Sequence, residues 1–207
     1  MILSACGKLP RVPVNDTWYR AIPLQYLHAP LSYAHTKKNA SRFNAGPVLA
    51  AVEQFAILYF ADDSTVIQYE VDSMLGTPRG PNAPNPKMSS VSLNVQVVLR
   101  EVFDLTDMAS YQTLGTSAQE LTGDWEGYSN RNYSTKVSHP TGIAPTQYLG
   151  KALYNADVEG FMTLSAKVPD HRILAVFPEK LKRDGHYRSS LSFLDRSGTI
   201  TDKVEAH

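Results

Sequence analysis

The chain has 207 residues, 43% of them hydrophobic and 19% charged, a globular balance that excludes general disorder and leaves one domain as the expectation. Twenty Lys and Arg match twenty Asp and Glu, so the formal net charge is zero and no global field draws the protein to nucleic acid or anionic lipid. Cys6 is the only cysteine, which excludes an internal disulfide and a cysteine-based zinc site and suits a reducing cytoplasm.

Leu3-Ser4-Ala5-Cys6 has the spacing of a lipoprotein cleavage site, but only Met1 and Ile2 precede it, so the match reads as coincidence. The longest apolar run, Phe55 to Ala61, has seven residues where a membrane helix needs about 20, and no membrane role is expected. Ile57 to Phe60 reads as a short buried strand. Asp62 to Ser64 then offers side-chain oxygens to cap a helix. Ile67, Val71, Met74 and Leu75 share one side of a helix over Ser64 to Leu75, although Thr65-Ile67-Tyr69-Val71 also satisfies a strand.

Gly76 to Ser90 carries four of the thirteen prolines and reads as a long loop, either a tolerated insertion or a lid or partner-binding segment. After it, Val91, Leu93, Val95, Val97 and Leu99 alternate, which predicts a half-buried strand over Ser92 to Val98. Gly123 to Pro145 is polar but includes Trp125, Tyr128 and Tyr133, a composition that suits a ligand wall. Pro145 opens a helix whose Leu149, Ala152, Leu153 and Ala156 follow the i, i+3, i+4, i+7 rule before Gly160 stops it. Strands follow at Phe161 to Ser165 and Arg172 to Phe177, and Arg196-Ser197-Gly198 reads as a hairpin turn. This order predicts an α+β domain over residues 1–207 with a mixed, mainly antiparallel sheet.

Much familiar chemistry is missing. There is no GxxxxGK[ST] loop, no GxGxxG after a strand and no GxSxG elbow. The six histidines never take a metal-ligand spacing, so no metal is expected. Lys180, Lys182, Arg183 and Arg188 form the one basic cluster, which reads as a solvated face rather than a nucleic-acid site.

The informative residues are charges beside apolar segments, since such side chains are rarely buried without a partner or a task. Arg20 ends the stretch Trp18-Tyr19, Arg42 lies in Ser41-Arg42-Phe43-Asn44 before the turn Gly46-Pro47, and Glu70 lies at the edge of the apolar helical stripe. Each arginine taken singly also fits an ordinary snorkelling side chain. Together, two guanidinium forks and one carboxylate suit a dinucleotide with an anionic pyrophosphate and a cationic leaving group, as in NAD. Tyr59 is placed either to stack on the nicotinamide ring or to fill the core.

The ordered series Trp18-Tyr19-Arg20, Ser41-Arg42-Phe43-Asn44, Leu58-Tyr59-Phe60-Ala61 and Tyr69-Glu70-Val71 resembles the RES domain family, named for its Arg, Glu and Ser. Asp104-Leu105-Thr106-Asp107, Asp124-Trp125, Thr146-Gln147-Tyr148-Leu149-Gly150, Gly160-Phe161, Ser165 and Ala175-Val176-Phe177 extend the likeness, which runs from about Trp18 to Phe177 and leaves 178–207 as a C-terminal extension. Two features depart from the family: Ser41 stands where Gly is usual, and the Gly76 to Ser90 loop is long.

The resemblance implies an ADP-ribosyltransferase-like fold and a bacterial toxin that degrades NAD as substrate, needs no further cofactor, and is neutralised by an Xre-type antitoxin. A homodimer within that complex is an open arrangement. Carried over by residue, the resemblance places the site on Arg20, Arg42, Tyr59, Glu70 and Ser165, with Asn44 as a weaker candidate that also fits a turn-shaping role. In this reading Glu70 stabilises an oxocarbenium-like ribose, Arg20 and Arg42 hold phosphates, and Ser165 orients the nicotinamide-ribose end. The acceptor stays open among water, phosphate and a protein side chain, which correspond to a glycohydrolase, a phosphorylase and an ADP-ribosyltransferase. A non-catalytic interaction module of the same fold is the alternative from another class.

Overall fold

The alternation that begins at Val91 becomes the first half of a 14-residue strand, Val91–Asp104, in a computed structural model that describes residues 1–128 and 142–206. In chain order the elements are β1 (Arg11–Ile22), β2 (Leu58–Ala61), α1 (Ser64–Glu70), β3 (Met74–Gly76), β4 (Asn82–Pro84), β5 (Val91–Asp104), α2 (Met108–Leu114), α3 (Ala118–Thr122), α4 (Pro145–Asn155), β6 (Gly160–Leu164), β7 (Arg172–Val176), β8 (Arg183–Asp184), β9 (Tyr187–Arg188), β10 (Ser190–Leu194) and β11 (Ile200–Glu205). Short 3-10 turns link several of them.

Seven strands form the main sheet in the order β1-β2-β7-β6-β5-β10-β11, and β1 also pairs with β5 from Arg11↔Phe103 to Ile22↔Val91. That extra pairing closes β1, β2, β7, β6 and β5 into a ring, which removes two sheet edges. Only β5–β6 is parallel, so the sheet is mixed and mainly antiparallel, as the order of elements predicts. Trp18, Leu58, Phe60, Val95, Leu99, Leu174 and Val176 fill one core. Phe103 and Phe161 on the opposite faces of the strands, with Phe177 just past β7, pack with Leu149 and Leu153 of α4. A third, smaller cluster seats Val66 and Ile67 of α1 on Ala61 and Ile173. Burial of each Val, Leu, Ile or Phe among these contributes about 1.5–3 kcal/mol.

One strand switches neighbours at a bulge. β5 pairs with β10 at Val95 to Val98 and with β6 at Val102 to Asp104. Across from the change, the β1–β5 register shifts between Val12 and Val14, where Pro13 has no N–H to lose. The freed amides of Arg100 and Glu101 donate to Oε2 of Glu159 at 2.6 and 2.9 Å, while Lys182 N donates to its Oε1 at 2.8 Å. Glu159 is fully buried, and these three amides hold its carboxylate.

The structure corrects the Ser64 to Leu75 helix, which ends at Glu70. Asp63 caps its start through Thr65 N and Val66 N. At its end Asp72 adopts φ 56°, Asp72 N donates to Tyr69 O at 3.0 Å and Ser73 N to Gln68 O at 2.9 Å. This is a Schellman closure with Asp in the left-handed position, and it stops the helix whatever the apolar stripe beyond it. The Gly76 to Ser90 segment is also not wholly a loop: β3 and β4 form a hairpin. Asn85 ties it back, donating from N to Ser73 O at 2.8 Å and from Nδ2 to Asp72 O at 2.7 Å. Trp18-Tyr19-Arg20 lies on the 12-residue β1, a strand that the sequence reading did not mark.

Candidate active site

A cavity of about 360 Å³ opens where β1, β2, α1 and the Ser41–Asn44 turn meet, and its walls include Arg20, Arg42, Tyr59, Glu70 and Trp125. Arg20 enters from the end of β1. Its Nε donates to Pro30 O at 3.2 Å and its guanidinium lies 5.9 Å from the centre of the Phe60 ring. Burial lowers its pKa to about 10, which leaves it cationic at neutral pH.

Arg42 sits at the tip of a tight turn closed by Ser41 N to Asn44 O at 2.8 Å and Asn44 N to Ser41 O at 3.2 Å. The next residue, Phe43, anchors the turn, packing edge-on against Phe161 with centroids 4.9 Å apart. Among the described residues the buried Nε of Arg42 has no partner, and its Nη2 lies 4.0 Å from Glu70 Oε2. A guanidinium with an unspent inner N–H beside a cavity is an anion receptor waiting for a planar acceptor.

Glu70 is the last residue of α1, where the helix dipole opposes a carboxylate. Local donors offset this. Ser165 Oγ donates a short hydrogen bond to Glu70 Oε1, and Lys167 N approaches the same oxygen at 3.4 Å. Ser165 in turn accepts from Val168 N at 2.9 Å and Lys167 N at 3.2 Å, so its one proton and both lone pairs are used. The serine is 3% exposed and stands behind Glu70 rather than on the cavity wall.

Tyr59 lines the cavity floor, with its hydroxyl 2.8 Å from Ser41 Oγ and accepting from Phe43 N at 3.3 Å. Burial pushes this phenol up to about 12. Asn44 is fully buried. Its Nδ2 donates to Thr36 O and Phe55 O, both at 3.1 Å, and its Oδ1 accepts from Gly46 N at 3.0 Å, so it shapes the turn and does not reach the cavity. Gly46 itself needs its φ of +55°, and a Cβ there would fall 2.8 Å from Ala40 N.

Three charged residues of the cavity escaped the sequence reading: Asp72, Glu126 and Lys167. Asp72 and Lys167 line the mouth and pair at 3.0 Å. Asp72 is turned there by the left-handed end of α1, and no local pattern marks it. Trp125 and Glu126 complete the wall from a turn in which Asp124 Oδ1 accepts from Glu126 N and Gly127 N. Tyr128 lies on an adjoining cleft with Gln119 and Thr146, and Tyr133 falls outside the described residues. Among the described residues no three His, Cys, Asp or Glu gather as metal ligands would. Of the basic cluster, Lys180 pairs with Asp157, Lys182 with Glu101 and Arg188 with Glu205. Among the described residues, no helix is long and apolar enough to cross a membrane.

A model of the RES domain matches residues 17–194. The chain belongs to the RES domain family. A chain of the crystallised MbcT–MbcA toxin–antitoxin complex of M. tuberculosis superposes with a TM-score of 0.57 at 16% identity, covering 99% of this chain and 91% of that one. No curated protein matches. The structural likeness is one of fold. In this RES domain Arg42, Glu70 and Ser165 meet as one unit: Arg42 faces Glu70, and Ser165 braces Glu70 from behind.

Proposed function

We propose that this protein is the toxin of a toxin–antitoxin pair and acts by breaking the nicotinamide–ribose bond of NAD. The observation that carries the reading is the convergence of Arg20, Arg42 and Glu70, from three separate segments, on one cavity with a guanidinium N–H that has no partner among the described residues. Membership of the RES family supports it, as does the shared fold with a chain of a toxin–antitoxin complex.

Departure of nicotinamide leaves positive charge on the ribose C1 and ring oxygen, and a fixed carboxylate lowers the energy of that state. Glu70 serves this role, and the bond from Ser165 keeps its carboxylate from collapsing onto Arg42. The guanidinium forks of Arg20 and Arg42 hold phosphate oxygens, which locates the ribose against Glu70 and turns binding into orientation. Trp125 supplies a flat apolar wall for a ring.

The test is loss of NAD on addition of the purified chain, with products weighed in the presence and absence of inorganic phosphate. ADP-ribose identifies water as acceptor, a phosphorylated ADP-ribose identifies phosphate, and label on a protein band identifies transfer. Glu70→Gln should fold normally and turn over about 100- to 1000-fold more slowly. Full NAD consumption by that variant, or none by the parent chain, rejects the reading. An Xre-type antitoxin that covers the cavity is the partner this reading requires, and co-expression of the neighbouring gene should restore growth.

A further inference from the structure

We infer that Gln147 is a positioning residue for Arg42, acting through the backbone of the turn that carries it. The side chain lies in the first turn of α4, is 4% exposed, and spends its whole amide on backbone. Its Oε1 accepts from Ala144 N at 2.9 Å, while its Nε2 donates to Ser41 O at 2.9 Å and to Asn44 O at 3.3 Å. Those two carbonyls belong to the residues that flank the Arg42 tip and close the turn. The amide thus grips both ends of the turn at once.

The rest of α4 is shaped for the same docking. Gly150, one helical turn after Gln147, lets the helix approach so closely that a Cβ there would stand 1.8 Å from Phe43 O. On the other side of the turn the Tyr59 hydroxyl meets Ser41 Oγ and Phe43 N. The turn is therefore clamped between β2 and α4, with hydrogen bonds to its backbone on both sides, and it presents Arg42 to Glu70. Arg42 itself makes only the 4.0 Å approach to Glu70 and leaves Nε without a partner among the described residues, so its position comes from the turn rather than from its own contacts. A buried, fully bonded amide stiffens the turn because it adds a second donor to each of two carbonyls that otherwise bond only to one another's amides.

Two variants test this, and the kinetic arm rests on the NAD reading while the exchange arm does not. Gln147→Met keeps the length of the side chain and removes both donors. Amide hydrogen exchange should quicken in the peptide covering residues 39–46 and stay unchanged in β5 and β7. The KM for NAD should rise about tenfold, as when a displaced Arg42 forfeits one ordinary hydrogen bond to phosphate, with a smaller change in kcat. Gln147→Glu places a carboxylate against the same two carbonyls at neutral pH. Its activity relative to the parent should recover as pH falls, because the protonated acid regains a donor for Ser41 O. Exchange that stays at the parent's rate over 39–46, exchange that quickens equally throughout the sheet, or a Gln147→Glu to parent ratio that is flat with pH overturns the inference. If the parent chain consumes no NAD, the NAD reading falls and the exchange result alone decides the role of Gln147.

Discussion

Replacing Ser165 with Ala separates what the serine does for the fold from what it does for the acid. Its hydroxyl donates to Glu70 Oε1 and accepts from Val168 N and Lys167 N. Lys167 N keeps its 3.4 Å approach to Glu70, so Ala leaves one buried amide, that of Val168, without a partner. An unsatisfied buried amide costs about 1–3 kcal/mol. At about 2–4 °C per kcal/mol for a chain of this size, the melting temperature should fall by roughly 2–12 °C. Glu70 meanwhile loses a charge-assisted hydrogen bond, worth about 1.5–3 kcal/mol, and is drawn towards Arg42 Nη2 4.0 Å away. Turnover should drop about 10- to 150-fold, in kcat more than in KM, and by less than in Glu70→Gln. The double variant should be little worse than Glu70→Gln alone, since the serine acts through the acid. NAD turnover measured well below both melting points, beside thermal melts, reads both effects. A Ser165→Ala enzyme that loses more than Glu70→Gln and does so through KM would mean that the serine touches substrate directly, and the bracing role would be wrong.

Glu159→Ala should be among the most damaging substitutions outside the cavity, because three backbone amides at 2.6–2.9 Å lose their acceptor and the β5 bulge loses its clamp. We expect about 3–5 kcal/mol of destabilisation by denaturant titration with unchanged KM in whatever remains folded; a change under about 1 kcal/mol would show that water replaces the carboxylate at no cost. Tyr59 should stay a neutral phenol in the folded protein up to about pH 12 while the unfolded chain ionises at its usual 10. The folded state then holds the extra proton between those values, so this contribution to stability is complete below pH 10 and lost as pH rises towards 12. Difference absorbance of phenolate between the parent and Tyr59→Phe checks this, and a Tyr59 signal below pH 10 would contradict the burial argument.

Much of the framework was legible in local pattern. The alternation from Val91 to Leu99, the Pro145 start of α4 and the carboxylate cap before Ser64 each depend on neighbours within a few residues, and each element formed. Arg20, Arg42 and Glu70 stood out because a charge beside an apolar run needs a reason. Where local pattern misled, a local backbone event had outweighed it: Asp72 in the left-handed region ended α1 one turn early, against an apolar stripe that ran on to Leu75.

The amino-acid sequence by itself determined the class of the fold, the family and the charged residues worth suspecting, since periodicity, composition and motif order are properties of short stretches. Only the tertiary structure decided what those residues do to one another. Ser165 behind Glu70, Gln147 beneath Arg42, Glu159 in the β5 bulge and β1 closing the ring are pairings between residues far apart along the chain. No spacing rule encodes such pairings, because a hydrogen bond depends on where two groups stand in space once the whole core has packed.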